Sequence, residues 1–381
     1  MNGTSRAAFA IDPIVARAAP DHPDKLRTVS LTETLATRYY LDPAIWEIER
    51  HQIFAKTWVM IGLEHEIQRP GDYLAESLAG WPIFVQRAED GSLRAFHNMC
   101  PHRAGPIVWE GTGHQANLVC RYHGWAFDKE GALINARDFG GEAPAGTCLT
   151  KVRAQTWRGF VFVCLDQTAP DLIEWLGGFV DECAAYPTDG YVFHSRTVRH
   201  MAMNWKVYND NFLEGYHLPL VHPAMSKEVE ALGYKVEGKG DDRWNIHTAP
   251  RRDGQSWSGV WGYFYPCFSF DIFPGGMAVE RWLPISPTQT DLIFEYFFAD
   301  DAADVEEIVK DSEEVADEDV RVGEMVQKNL AAGLYTVGWL SPRHEHALGE
   351  LHRRIEATVD PHLPPADAQP VAVRSGTSTA G

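Results

Sequence analysis

Apolar and polar positions change their rhythm three times along the chain. In TETLATRYYLDPAIWEIERHQIFAKTWVMIG, Ile45, Ile48 and Ile53 fall at near-helical intervals, and the stretch closes on KTWVMIG, short and rich in β-formers. That pattern predicts a helix running into a strand. From about Pro70 to Asp166 the apolar runs shorten and are broken by Gly, Asp and Asn: WPIFVQRAEDGSLRAFHN, ANLVCRYHGWAFDKEGAL, RGFVFVCLD. The AEDG and DKEG turns suit hairpins, so this region reads as a small all-β unit. Beyond it, MNWKVYNDNFLEGYH reads as helix, 256–298 as strands crowded with aromatics, and 302–332 as one long acidic helix. The expected architecture is α+β. Segment 1–52 packs on a larger domain, 53–166 forms the β unit, 167–360 the larger α+β domain, and 361–381 is a Pro/Ala/Ser/Thr-rich tail with the composition of disordered chain.

Composition narrows the class. The chain has 381 residues, 45% hydrophobic and 23% charged, as expected of a globular protein with a sizeable core. No window approaches the ~20 apolar residues of a membrane span, and the N-terminus has no secretory pattern. A net charge of −19 argues against nucleic acid and anionic membrane surfaces as partners. Six cysteines in a chain this long, without a signal, do not suggest a disulfide framework. Cys164 and Cys267 lie in apolar runs and read as buried thiols. The expected location is the cytoplasm.

Two cysteines stand beside histidines. In NMCPHRAGPIVWEGTGHQANLVCRYHGWAF, Cys100 pairs with His102 and Cys120 with His123. Two thiolates and two imidazoles suit either structural zinc or a Rieske-type [2Fe–2S] cluster, with cysteines on one iron and histidines on the other. The β context favours iron–sulfur, with the pairs on loops at hairpin ends. Gly124 permits close approach, Pro101 stiffens its loop, and no helical pattern surrounds either pair.

A second group follows in NWKVYNDNFLEGYHLPLVHPAM. Glu214 and His217 lie three apart, on one face of a helix, and Pro219 interrupts that helix so that His222 can turn back. Two histidines and one carboxylate make the facial triad of a non-haem Fe(II) site with open positions for O₂. The acidic helix offers six acids between Asp311 and Asp319. Asp319 aligns with Val315, Val322 and Val326 on an apolar stripe, Asp317 on a polar face, Glu318 at the boundary. A buried acid needs a partner, and a metal is one, so Asp319 is the expected third ligand.

CPHR and CRYHGW, with PGDY, AFHN and GFVFVCLD in order, resemble the signature of the Rieske non-haem iron ring-hydroxylating oxygenases, α subunit, including choline-monooxygenase-like members. The resemblance covers most of the chain. It implies an all-β Rieske domain and a helix-grip, START-like α+β catalytic domain with an antiparallel sheet. By resemblance Cys100 and Cys120 hold one cluster iron and His102 and His123 the other, with Arg103 and Trp125 around them; HRAGP stands where many members read HRG. It also implies that His217, His222 and Asp319 hold the mononuclear iron, and that Asn211 and Glu214 belong to the catalytic frame. Glu214 replaces the usual Asp, which in the family bridges to a cluster histidine of a neighbouring subunit. The Glu form occurs in members acting on carnitine-like quaternary amines.

The implied protein is a terminal oxygenase that uses O₂ and electrons from NAD(P)H through a separate reductase or ferredoxin. No flavin or nicotinamide fingerprint is visible, since GTGHQANL lacks the third glycine and the strand–turn–helix frame. A homotrimer is implied, with a small β subunit as a further possibility. The substrate is expected to be a small quaternary amine, hydroxylated or N/O-demethylated. Aromatic-ring dioxygenation is the alternative, and a Rieske electron carrier the rival of another class. Trp257 and Tyr263, in the aromatic strands, are pocket candidates, and Arg94, Arg103, Arg121 and Lys129 a candidate docking patch for the electron donor.

Overall fold

The computed structural model describes residues 32–228, 233–238, 243–249 and 259–364, so the first 31 residues and the tail beyond 364 lie outside the described residues. Two antiparallel seven-stranded sheets organise the rest. The first is the β unit, with strands in the order 59–63, 160–164, 151–157, 93–97, 81–87, 72–78 and 111–114. A three-stranded sheet of 118–119, 126–127 and 133–135 accompanies it. Both expected turns close hairpins. Gly91 and Gly131 there have φ of 80° and 87°, a conformation that strains any L side chain. At Gly131 a Cβ would also meet the Phe96 ring at 2.6 Å.

The second sheet orders its strands 192–201, 289–298, 276–286, 268–273, 260–264, 244–248 and 235–237. From 235 onward it is a simple meander. The strand that opens it in sequence, 192–201, pairs instead with the last, 289–298. The chain between 201 and 235 therefore crosses the sheet, and this crossing segment carries the histidines. The helix Trp205–Phe212 packs against strand 276–286 and the long helix Val305–Ala331.

Both faces of the central strands 276–286 and 289–298 are covered, so these are buried at nearly every position, whereas the edge strand 192–201 alternates. Trp282, Leu292, Phe294 and Tyr296 face the core shared with the helices. Val279, Phe268, Phe270 and Phe297 face the other way, onto Trp58, Met60, Phe160 and Phe162 of the β unit. Full burial of side chains like these stabilises by about 1.5–3 kcal/mol each, so the two sheets share one apolar seam. Ion pairs reinforce it: Arg196 meets Glu66 of the β unit at 2.8 Å and Glu295 of the second sheet at 2.7 Å.

The crossing helix is pinned at three points. Asn204 caps it, its side chain accepting from Lys206 N. Lys206 Nζ lies 2.6 Å from Glu49 Oε1 with both side chains fully buried, and Trp205 Nε1 donates to the other Glu49 oxygen at 3.0 Å. Asp210 accepts from Tyr40 Oη at 2.6 Å and lies 3.0 Å from His352 Nε2. Helices near the two ends of the described chain thus clamp the segment that bears the histidines. Removing one member of a buried pair leaves an uncompensated charge, whereas removing both does not. Lys206→Met is expected to lower stability by about 3–5 kcal/mol. Adding Glu49→Leu should recover most of that loss, read from denaturant midpoints; no recovery in the double variant contradicts the clamp.

Candidate active site

The helix expected to run through His217 ends at Phe212. Glu214 and His217 approach each other through a tight turn, not across a helix face. Glu214 Oε1 accepts from His217 Nδ1 at 2.6 Å, and its Oε2 accepts from the backbone N–H groups of His217 and Tyr216. Glu214 thereby satisfies free donors ahead of the short helix Leu218–Val221, which has Pro219 in its first turn, where a missing N–H costs nothing. Gly215 is required here, because a Cβ would meet the Tyr234 ring at 2.3 Å. His222 follows the short helix directly and is 1% exposed.

Asp319, on the long helix, meets both histidines. Its Oδ1 lies 2.9 Å from His222 Nε2 and 3.6 Å from His217 Nε2. Asn211 Nδ2 donates to the same oxygen at 3.0 Å. His222 Nδ1 is 2.8 Å from Glu318 Oε2, so each imidazole gives its Nδ1–H to a carboxylate and turns an Nε2 lone pair inward. His222 Nε2 is buried against Asp319 Oδ1. Two imidazole nitrogens and a carboxylate oxygen converge, a donor set suited to a divalent cation. Burial lowers the His222 imidazole, but the Asp319 and Glu318 carboxylates overcome this and hold it above the ordinary histidine value. Among the described residues, His217, His222 and Asp319 are the one group of His, Cys, Asp or Glu donors close enough to share a single ion.

A cavity of about 100 Å³ adjoins the triad. Tyr208, Phe212, Tyr234, Trp261, Phe273 and Phe294 wall it, and two further acids, Asp271 and Glu280, line it. Burial pushes both carboxyls upward, Asp271 well above the usual range, with the neighbouring Glu280 adding to it. Tyr208 Oη donates to Glu280 Oε2 at 2.7 Å.

The Cys/His loops share one design. Cys100 N–H donates to Gly105 O and Cys100 O accepts from Ala104 N, at 2.8 and 2.9 Å. Cys120 N–H donates to Trp125 O and Cys120 O accepts from Gly124 N, at 2.8 and 3.1 Å. Each cysteine therefore closes a turn on residues four and five positions later. The fourth residue has positive φ in both, 54° for Ala104 and 74° for Gly124. The HRAGP departure is thus an alanine in the left-handed conformation that glycine adopts in the other loop. At Gly105 a Cβ would meet Cys120 Sγ at 3.0 Å, so the close approach of the loops needs glycine. The His102 and His123 rings lie 4.7 Å apart, Trp125 stacks on His102 at 4.6 Å and 6°, and His102 Nδ1 is buried without a partner. The second pair sits in the hairpin between 118–119 and 126–127. The first sits not at a hairpin end but on the connection from 93–97 to 111–114, strands that are not neighbours.

Residues 57–144 match the Rieske [2Fe-2S] domain, and residues 188–360 match the ring hydroxylating alpha subunit (catalytic domain). The carnitine monooxygenase oxygenase subunit of Escherichia coli (strain K12) is 30% identical over 330 residues, 79% of this chain and 85% of that one. The chain belongs to the Rieske ring-hydroxylating oxygenase family. The chloroplastic choline monooxygenase of Spinacia oleracea is 28% identical over 353 residues, 86% of this chain and 78% of that one. A crystal structure of the quaternary ammonium Rieske monooxygenase CntA with an inhibitor superposes with a TM-score of 0.77 at 25% identity, covering 86% of this chain and 95% of that one. This Rieske oxygenase is accordingly an oxidoreductase that uses a [2Fe–2S] cluster and a mononuclear iron. The donor sets described above fit both.

Some expectations for this oxygenase need correction. Tyr263 is 2% exposed and does not line the cavity: it stacks on Trp282 and packs behind Phe212, which does. Trp257 lies outside the described residues, and Trp261, on strand 260–264, supplies an aromatic wall. The stripe that buries Asp319 is Ala316, Gly323, Gln327 and Leu330, while Val322 and Val326 are exposed. Arg94 is occupied by Asp90 and Glu130, which leaves exposed Lys129 and, on the cluster loops themselves, Arg103 and Arg121. Arg103 stacks over Tyr122, and Arg121 donates to Gln115. Sequence reasoning missed Glu318, Asp271, Glu280 and Tyr208. For Glu318 a signal was present, its place beside Asp319. Orienting carboxylates behind metal-ligating histidines typically matter 10–100-fold for affinity. Glu318→Ala is expected to weaken ferrous iron retention by about that factor against a chelator, with the visible spectrum of the cluster unchanged. Equal retention contradicts the role of Glu318.

Proposed function

We propose that this oxygenase inserts one oxygen atom into a small quaternary amine, with His217, His222 and Asp319 holding the mononuclear iron. Cys100 and Cys120 hold one iron of the cluster and His102 and His123 the other. The observation that carries the substrate reading is the cavity beside the triad, walled by Tyr234, Trp261 and Phe273 and lined by acids. Aromatic faces attract a trimethylammonium group by cation–π interaction, and carboxyl groups complement its charge. A neutral aromatic hydrocarbon would offer the acid pair no charge to complement. The names of the relatives in spinach and E. coli point the same way.

When bound, the mononuclear iron activates O₂ with electrons that enter through the cluster. The chain's own groups prepare that site. Glu214 and Glu318 fix the two imidazoles in the tautomer that turns Nε2 toward iron, and Asn211 fixes the orientation of Asp319. The aromatic walls keep water out. Electrons come from NAD(P)H through a separate reductase or ferredoxin. We read the enzyme as cytoplasmic.

A head-to-tail homotrimer completes the reading. The Glu214 turn carries exposed Tyr216 and Leu220, and the cluster loops carry exposed Met99, Trp109 and Tyr122. Two apolar patches on different domains suit a heterologous contact that closes into a ring. That contact brings the cluster loops of one subunit to Glu214 of the next. The decisive experiment supplies reduced enzyme with labelled O₂ and a panel of trimethylammonium compounds. One labelled atom in a hydroxylated or demethylated product is expected; a cis-diol from an aromatic ring, or no product from any amine, overturns the reading. His217→Ala should abolish turnover and leave the cluster spectrum intact. Glu214→Gln should keep a reducible cluster but slow single-turnover product formation at least about tenfold. A normal rate in that variant removes the bridging role.

A further inference from the structure

The cavity holds more acid than the iron site requires. Asp319 and Glu214 belong to the triad and its support, and Glu318 stands behind His222. Asp271 and Glu280 have no such duty. They project from adjacent strands, 268–273 and 276–286, where Ser269 is paired with Glu280 and Asp271 with Ala278, so the two acids are diagonal neighbours on one face. Their carboxyls are within hydrogen-bond reach of each other. Tyr208 occupies Glu280 Oε2. Asp271 Oδ1, by contrast, is buried and has no hydrogen-bond partner, although its residue lines the cavity. The cavity's lining contains no Lys or Arg among the described residues. A buried carboxyl oxygen left free beside aromatic walls is costly unless a ligand completes it.

We propose that Asp271 and Glu280 form the subsite that recognises the positive charge of the substrate, and that they set the preference of this cavity for a cation over an uncharged molecule of the same shape. This rests on the reading of the enzyme as a quaternary amine oxygenase and adds the residues that select the charge. The aromatic rings supply shape and a weaker attraction, which alone discriminates modestly at exposed sites and more strongly when desolvated. The two carboxyls share one proton, so the pair supplies a single negative charge opposite the cation. Tyr208 positions Glu280, and Asp271, whose Oδ1 has no hydrogen-bond partner, lies beside it in the cavity lining. A trimethylammonium group has no N–H, so its recognition here is by charge and not by a donated hydrogen bond.

The test uses the holoenzyme and two probes of one shape: choline and its uncharged carbon isostere, 3,3-dimethylbutan-1-ol. Dissociation constants are measured for wild type, Asp271→Asn and Glu280→Gln, two independent and nearly isosteric changes. Cluster absorbance and iron content equal to wild type identify folded variants. The wild type should favour the cation, and each variant should lose at least about tenfold of that preference through weaker choline binding, with binding of the isostere within about twofold of wild type. A purely structural pair would move both probes together. If wild type binds and oxidises quaternary amines while the ratio survives both substitutions, this inference falls and the functional reading stands. If wild type binds or oxidises no quaternary amine, both fall.

Discussion

Two imidazoles and a carboxylate brought to one point set the terms for this structure. His217 Nε2, His222 Nε2 and Asp319 Oδ1 converge, and the far side of each ring is held by a carboxylate, at Glu214 and Glu318. Such an arrangement suits a divalent cation. Much of the catalytic domain serves to hold it. The helix Trp205–Phe212 stops early because Glu214 takes the free backbone donors of the following turn, and the buried Glu49–Lys206 pair fixes where that helix lies. The long helix brings Asp319 and Glu318 together as consecutive residues, one toward the metal site and one toward His222.

The β unit solves a different problem with a repeated device. A cluster needs two loops at close range, each giving one soft and one nitrogen ligand. The chain uses the same five-residue turn at Cys100 and at Cys120, with a left-handed residue at the fourth position of each. Ala104 in that position carries a modest strain that Gly124 does not. Its hydrogen bond to Cys100 O and the open space provided by Gly105 hold the loop in register. Trp125 stacks on the His102 ring, and the His123 ring meets His102 edge-on. The two domains meet along a seam of Phe and Trp side chains, so each cofactor site sits on a scaffold shared with the other domain.

Legibility in the sequence followed locality. The Cys/His pairs were readable because each pair lies within four residues, and the hairpins because Gly marks their turns. Asp319 was readable because a buried acid on an amphipathic helix has few alternatives, although the stripe that buries it is made of small and polar residues, Ala316, Gly323 and Gln327, and not of valines. Tyr263 shares the cavity face with Trp261 but is covered by Phe212 and Trp282 farther along the strand. Period-two alternation picks a face, not the position along it that a neighbouring helix leaves open. Asp271 and Glu280 were invisible for a related reason: their meeting depends on strand register, which single-strand patterns do not specify. The helix through His217 was overextended because the capping by Glu214 is a side-chain event inside a helix-compatible run.

The central claim is that one chain holds two distinct iron sites, a sulfide-bridged pair on the β unit and a single ferrous ion between the crossing segment and the long helix. Metal and acid-labile sulfide analysis of the anaerobically purified protein, with Asp319→Ala run alongside, tests it most directly. The account predicts about three irons and about two sulfides per chain, falling to about two irons with sulfide unchanged in the variant. A single zinc without sulfide, or an iron count that Asp319→Ala leaves untouched, would contradict it.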